Sequence, residues 1–285
     1  MKFSVMTLPL LPMPAVPGMD RAAPVPQSCS LTELYGQIRA AGADALDISS
    51  MDLQYGGERA VLEALQENAL ICSCYLAFIS APAPDRAGQQ KAAELGMQAV
   101  EQTRRLSSNM MMFVPAGYSA AAAVLRRAAM ADALAEVLRP VVRYAAERDV
   151  TVVIEDAPHQ DFPMCTEAEL RALLEQTPGL KLVYDSGNMC FAGEDPVSYY
   201  DHLADYVAHA HAKDVIRLEN GQTVECPHGK GMVDFRTIFA HMRRRHFDGY
   251  TAVELSPGSG EPVTDRVRNA LDLLQGCAEE GNEDA

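Results

Sequence analysis

Thr151-Val152-Val153-Ile154-Glu155 is a short apolar run closed by a carboxylate. A continuous run of this length, without the alternation of a half-buried strand, reads as a strand covered on both faces, as in a parallel sheet. Lys181-Leu182-Val183-Tyr184-Asp185 repeats the pattern, Val207-Ala208-His209-Ala210-His211 carries it with imidazoles, and Tyr250-Thr251-Ala252-Val253-Glu254 ends it with a second glutamate. The strands of a parallel sheet end at one rim, so Glu155, Asp185, His211 and Glu254 are expected to meet there. Singly, a carboxylate at a strand end commonly caps a helix, and a histidine in an apolar strand is commonly a core residue. Four at one rim point instead to a site for one divalent metal ion, and the mixed oxygen and nitrogen donors suit Mn, Mg, Co or Zn equally.

Outward from these runs, strand and helix patterns alternate eight times. The strands are expected at Lys2–Thr7, Ala45–Ile48, Ile71–Ile79, Met110–Val114, Thr151–Glu155, Lys181–Asp185, Val207–Lys213 and Tyr250–Glu254. Helical patterns fill Leu31–Ala41, Glu58–Asn68, Gln89–Leu106, Ala120–Arg148, Thr166–Gln176, Val197–Tyr206, Phe235–His246 and Val263–Cys277. Thr166 is placed to cap its helix, with Glu167 and Glu169 in the first turn. Pro140 predicts a kink or a second start in the long pattern around it. Eight such units close into an α/β fold of (β/α)8 TIM-barrel type, a single domain over residues 1–277 with an acidic tail at 278–285. An open doubly wound sheet is the competing arrangement, but no GxGxxG succeeds the first strand. That strand leads instead into a proline-rich segment reaching Ser28, a stiff surface loop or a lid over the rim.

The chain of 285 residues is 48% hydrophobic and 22% charged, a globular composition of a length that suits one barrel of roughly 250 residues. Its net charge of -15 opposes nucleic-acid and membrane-surface binding. The 7 cysteines are odd in number and lack zinc-finger spacing, which favours reduced thiols in a cytoplasmic protein. Prolines from Pro9 onward break the apolar start, so a first strand is expected there rather than a signal peptide.

At this point the chain resembles a known family. Val153-Ile154-Glu155-Asp156, Tyr184-Asp185-Ser186-Gly187-Asn188, His209-Ala210-His211-Ala212-Lys213-Asp214, Val253-Glu254 and Gly229-Lys230-Gly231-Met232-Val233-Asp234-Phe235 are similar, in order and spacing, to the sugar phosphate isomerase/epimerase superfamily with its xylose-isomerase-like barrel. The likeness is greatest to the branches of L-ribulose-5-phosphate 3-epimerases and ketose 3-epimerases. The resemblance implies a metal held by Glu155, Asp185, His211 and Glu254, with Glu155 and Glu254 as catalytic acid and base on opposite faces of a bound sugar. The chemistry accounts for the need. A C–H beside a carbonyl is a weak acid, so a metal must polarise the oxygens while one carboxylate takes the proton and the other returns it.

Three further residues are candidates for binding substrate. Asn188 stands where free-ketose 3-epimerases carry a histidine, and Asp-x-Gly-Asn resembles the sugar-phosphate branch; a helix-capping role is its alternative. Lys213, two residues after His211, should share its inward face, with Asp214 turned away as an ion-pair partner. Arg217 matches in spacing an arginine that reaches substrate in related epimerases, or is an exposed surface residue. Lys230-Gly231 and Ser256–Gly260 offer glycines whose N–H groups could approach a phosphate. The expected activity is a metal-dependent sugar or sugar-phosphate epimerase or isomerase acting on a small carbohydrate through an enediolate. Alternatives are a dehydratase of a sugar- or inositol-derived ketone and a non-catalytic sugar-binding barrel. A phosphodiester-cleaving relative of the same barrel is opposed by the charge. Assembly as a homo-oligomer is compatible with the sequence and not specified by it.

Overall fold

A computed structural model describes residues 1–11, 29–116, 125–157, 164–257 and 260–280. In chain order the elements are β1 (Lys2–Met6), α1 (Leu31–Ala40), β2 (Ala45–Ser49), α2 (Ser50–Glu67), β3 (Ile71–Ile79), α3 (Arg86–Arg105), β4 (Met110–Pro115), α4 (Arg127–Ala146), β5 (Thr151–Glu155), α5 (Glu167–Gln176), β6 (Lys181–Asp185), α6 (Asn188–Ala192), α7 (Pro196–Leu203), β7 (Val207–Ala212), β8 (Asp214–Arg217), β9 (Thr223–Cys226), α8 (Phe235–Arg244), β10 (Tyr250–Val253) and α9 (Val263–Glu280). Eight strands close a barrel in the order β1-β10-β7-β6-β5-β4-β3-β2, and β8 with β9 form a separate antiparallel hairpin. The expected (β/α)8 TIM barrel is therefore the fold found.

Contacts group the chain into two compact units, Met1–Ser73 with Ala210–Ala285, and Cys74–His209, and both boundaries fall inside a barrel strand. In the first unit β1 lies between β2 and β10 in parallel register, with Met6 opposite Asp47 and Ser4 opposite Ala252. Its helices start on side chains suited to the task. Ser30 and Glu33 form a capping box for α1, and Ser49 and Asp52 form one for α2. Asp52 also accepts from the hydroxyls of Thr7 and Tyr35, so this buried carboxylate is satisfied by the groups around it.

In the second unit β3, β4, β5 and β6 run parallel, with Met112 opposite Val153 and Glu155 opposite Val183. Val152, Val153, Ile154, Leu182, Val183 and Tyr184 are all buried, as the unbroken apolar runs require. α3 packs against α4 with a stripe of small residues, Ala92, Ala93, Gly96, Ala99 and Val100. A Cβ on Gly96 would come within 2.6 Å of Val141 Cγ2, so glycine there permits the close approach. Thr166 caps α5 by accepting from the Glu169 N–H.

Pro140 sits inside α4, and one helix runs through it rather than starting a second time there. Val137, Leu138, Val141 and Val142 are buried around that turn, and this packing holds the helix across the missing N–H. The residues expected as helix from Ala120 to Val124, the proline-rich segment at 12–28, Gly258-Ser259 and the last five residues of the tail lie outside the described residues. Among the described residues no helix is long and apolar enough to cross a membrane.

Candidate metal centre

Glu155 is the last residue of β5, Asp185 the last of β6, His211 lies near the end of β7, and Glu254 comes directly after β10. One donor atom from each comes within 4.8 Å of the others. The four sequence-expected ligands are thus brought together, with Asp185 and His211 buried and the two glutamates partly open. Three carboxylates with one imidazole form a negative, oxygen-rich donor set of the kind that holds a divalent cation. The residues present fit such an ion.

The ladder explains how Glu254 and Lys213 meet. Ala252 pairs with His211 and Val253 with Ala212, and the Glu254 N–H donates to the Ala212 carbonyl at 3.0 Å. One step further along the strands, Lys213 Nζ lies 3.0 Å from Glu254 Oε1. His211 Nδ1 lies 3.5 Å from Glu254 Oε2. Burial alone would raise the Glu254 carboxyl, but the Lys213 ammonium and the His211 imidazole outweigh it and hold its pKa at about 2. Glu254 is therefore ionised throughout the physiological range. Lys213 is buried against this carboxylate, which ties it to the site through Glu254.

Asp185 uses one oxygen to hold the turn after β6, accepting from the N–H groups of Gly187 at 2.7 Å and Asn188 at 2.9 Å. Asn188 is buried at the start of α6, and its amide donates to the Asp156 carbonyl at 3.2 Å, joining the ends of β5 and β6. It is not the cap of that helix, because Gly187 occupies the cap position. Arg217 is exposed at the far end of β8, opposite Thr223 in the hairpin.

Asp214 differs from expectation. It is buried and, among the described residues, pairs with amides rather than with a cation: it accepts from the N–H groups of Val215 (2.9 Å), Gly229 (2.8 Å), Gly231 (3.0 Å) and Val233 (3.3 Å). A buried carboxylate surrounded by amides needs no ion pair, since the N–H dipoles supply the compensation. This also answers the phosphate expectation at Lys230-Gly231: the amides of Gly229 and Gly231 already serve a carboxylate of the chain itself. The loop so held carries His228, whose Nε2–H donates to the Ala212 carbonyl at 2.8 Å. Burial lowers the His228 pKa, and the ring is neutral in this setting.

Sequence reasoning misses Asp47 and Cys74. With His209, which is buried in β7, they form a second buried group of close donor atoms. The signal that could have found Asp47 is an acid in the middle of an apolar strand, Ala45-Leu46-Asp47-Ile48.

Residues 36–277 match the model of the xylose isomerase-like TIM barrel family. The chain belongs to that family. Among curated proteins, this xylose isomerase-like barrel is similar to an inosose dehydratase of Lacticaseibacillus casei, 29% identical over 126 residues, which cover 38% of this chain and 41% of the relative. The match thus spans less than half the length of that relative. Among solved structures, D-psicose 3-epimerase with D-tagatose from Clostridium cellulolyticum H10 aligns with a TM-score of 0.78 at 13% identity, covering 98% of this chain and 100% of that one. A xylose isomerase-like TIM barrel protein from Mycobacterium smegmatis in complex with magnesium aligns with a TM-score of 0.72 at 15% identity, covering 98% and 97%. At these identities the structural likeness speaks to the fold alone.

Proposed function

We propose that this chain is a divalent-metal-dependent enzyme that takes a proton from the carbon beside the carbonyl of a small, unphosphorylated polyhydroxy ketone, and acts as a sugar epimerase or isomerase. The observation that carries the reading is the convergence of Glu155, Asp185, His211 and Glu254 at the strand ends. A bound divalent cation would polarise the carbonyl and neighbouring hydroxyl oxygens, lowering the barrier to forming an enediolate. Glu155 and Glu254, from β5 and the end of β10, act as the proton-transferring carboxylates. Lys213 holds Glu254 ionised and so fixes it as the group that accepts rather than stores a proton at neutral pH.

Among the described residues, two observations favour an unphosphorylated substrate over the phosphorylated one that Asp185-Ser186-Gly187-Asn188 suggests. The glycine amides at 229 and 231 are engaged by Asp214, and Arg217 stands on the exposed hairpin. The net charge of -15 adds long-range repulsion against a dianion.

A second reading, dehydration of an inosose-like ketone, is favoured by the curated relatives. It begins with the same proton removal and ends with loss of a hydroxyl group instead of return of the proton. The Lys213 ammonium beside Glu254 is a group from which a departing hydroxyl could take a proton.

One experiment covers both. The metal-loaded protein is incubated in deuterated water with a panel of ketoses, ketose phosphates and inososes, and the carbon-bound protons are followed by NMR. Deuterium entering one position with retention of the carbon skeleton's oxygens supports the epimerase. A product lighter by one water moves the assignment to the dehydratase. In either case Glu155→Gln is expected to lower exchange at least a hundredfold, the scale of general-base catalysis, with the melting temperature preserved. Unchanged exchange in that variant removes Glu155 from the proton transfer.

A further inference from the structure

We propose that Asp47 is a positioning residue for His211, fixing which ring nitrogen faces the metal site; this rests on the metal reading of Glu155, Asp185, His211 and Glu254. His211 Nε2 lies 3.3 Å from Asp47 Oδ2, and both side chains are fully buried. A carboxylate can only accept, so with the Nδ1 lone pair turned to a bound cation the imidazole proton resides on Nε2, where Asp47 holds it. Nδ1 is the nitrogen that lies 3.5 Å from Glu254 Oε2, on the side of the cluster. Asp47 thus leaves the basic nitrogen directed at the site and adds negative charge behind the ring, which strengthens it as a donor.

The carboxylate is itself held from three directions. Ser4 Oγ donates to Asp47 Oδ1 at 3.0 Å and Ser73 Oγ to the same oxygen at 2.6 Å, which leaves Oδ2 for the imidazole. The Asp47 carbonyl receives the Thr7 N–H at 3.1 Å, so the main chain is pinned too. Such an arrangement is hard to account for as packing alone. A buried carboxylate carries a desolvation cost, and an apolar residue at position 47 would avoid it.

The test uses the full chain and Mn²⁺ as probe, with binding measured by titration calorimetry and the His211 ring nitrogens by 15N NMR. Asp47→Asn keeps the shape. If the amide oxygen stays with the serine hydroxyls, its NH2 faces His211 and favours the opposite tautomer. Mn²⁺ affinity is expected to fall about 10–100-fold, with the His211 ring-nitrogen signals displaced in the metal-free spectrum. Ser73→Ala, a milder change that leaves the charge in place, should weaken affinity by a smaller factor. Wild-type affinity in Asp47→Asn, with an unchanged His211 spectrum and a normal melting curve, overturns the proposal. If Asp47→Asn does not fold, Ser73→Ala decides: unchanged affinity and tautomer in that variant overturn it as well. Asp185→Asn separates the two readings. Lost Mn²⁺ binding there together with wild-type binding in Asp47→Asn sinks only the role of Asp47, whereas wild-type binding in Asp185→Asn sinks the metal reading beneath it.

Discussion

Asp214 shows how one side chain can decide the shape of a loop. Its carboxylate gathers N–H groups from residues 215, 229, 231 and 233, and the path of the chain around it leaves no room for a side chain at position 231. A Cβ there would collide with Asp214 Oδ1 and the Val215 carbonyl, neither of which is the far end of a flexible group. Gly231→Ala is therefore expected to break the cradle and leave buried polar groups short of partners, at about 1–3 kcal/mol. Urea denaturation measures this directly, and a loss below about 0.5 kcal/mol would show that the loop relaxes around the methyl group. In the sequence, Gly229-Lys230-Gly231 suggests amides free for a phosphate, because glycines announce close approach without naming the partner. The partner is an aspartate fifteen or more residues away in the chain, and only folding brings it there. The partner of Asp47 is illegible for a related reason: a lone acid inside an apolar strand draws notice but has no local signature of what it faces.

At the scale of elements, β3, β5 and β6 lie where their apolar runs predict, since burial on both faces leaves a continuous signal. The helices are harder to bound. α2 is expected from Glu58, and that helix is found after the kink at Gly57; the part missed is the piece upstream, which the Ser49 and Asp52 capping box starts at Ser50. The backbone at Gly57 does leave helical geometry, with φ of 81°, and the helix resumes after it. α6 spans only five residues, too few for a period to show, and the β8–β9 hairpin reads in the sequence as a bare insertion. Between elements, Arg127 at the start of α4 grips Glu169 in the first turn of α5, Nη2 to Oε2 at 2.8 Å. The hydrogen bond from Arg127 lowers the Glu169 pKa beneath its ordinary value of 4.5. A depressed carboxylate contributes stability that is fully present above 4.5 and lost as the pH falls through the lower folded value. Both side chains are about one-third exposed, so the pair is worth only about 0.5 kcal/mol. Arg127→Gln should be less stable than the parent by that amount at pH 7, with the gap closing below the carboxylate range. A gap that persists at pH 2 would mean that the arginine acts through packing.

For the whole molecule, the four ligands come from positions scattered between residues 155 and 254, so an ion that binds them binds the folded chain and not the unfolded one. Mass action then ties metal to stability: at a hundredfold excess over its Kd an ion adds about 2.7 kcal/mol. For a chain of this size that corresponds to a rise in melting temperature of roughly 4–5 °C. The net charge of -15 complicates the measurement, because any cation relieves general repulsion among the acidic residues. Two controls isolate the site. Sodium chloride at matched ionic strength supplies screening without coordination, and Asp185→Asn removes one ligand while changing the total charge by a single unit. Calorimetric melts with Mn²⁺ or Mg²⁺ are expected to show the rise over both controls and to lose it on chelation. An equal rise in Asp185→Asn would place the ion on the acidic surface at large. No rise over sodium chloride at millimolar cation would leave the convergence of Glu155, Asp185, His211 and Glu254 without the role assigned to it, and with it the chemistry of proton removal beside a carbonyl.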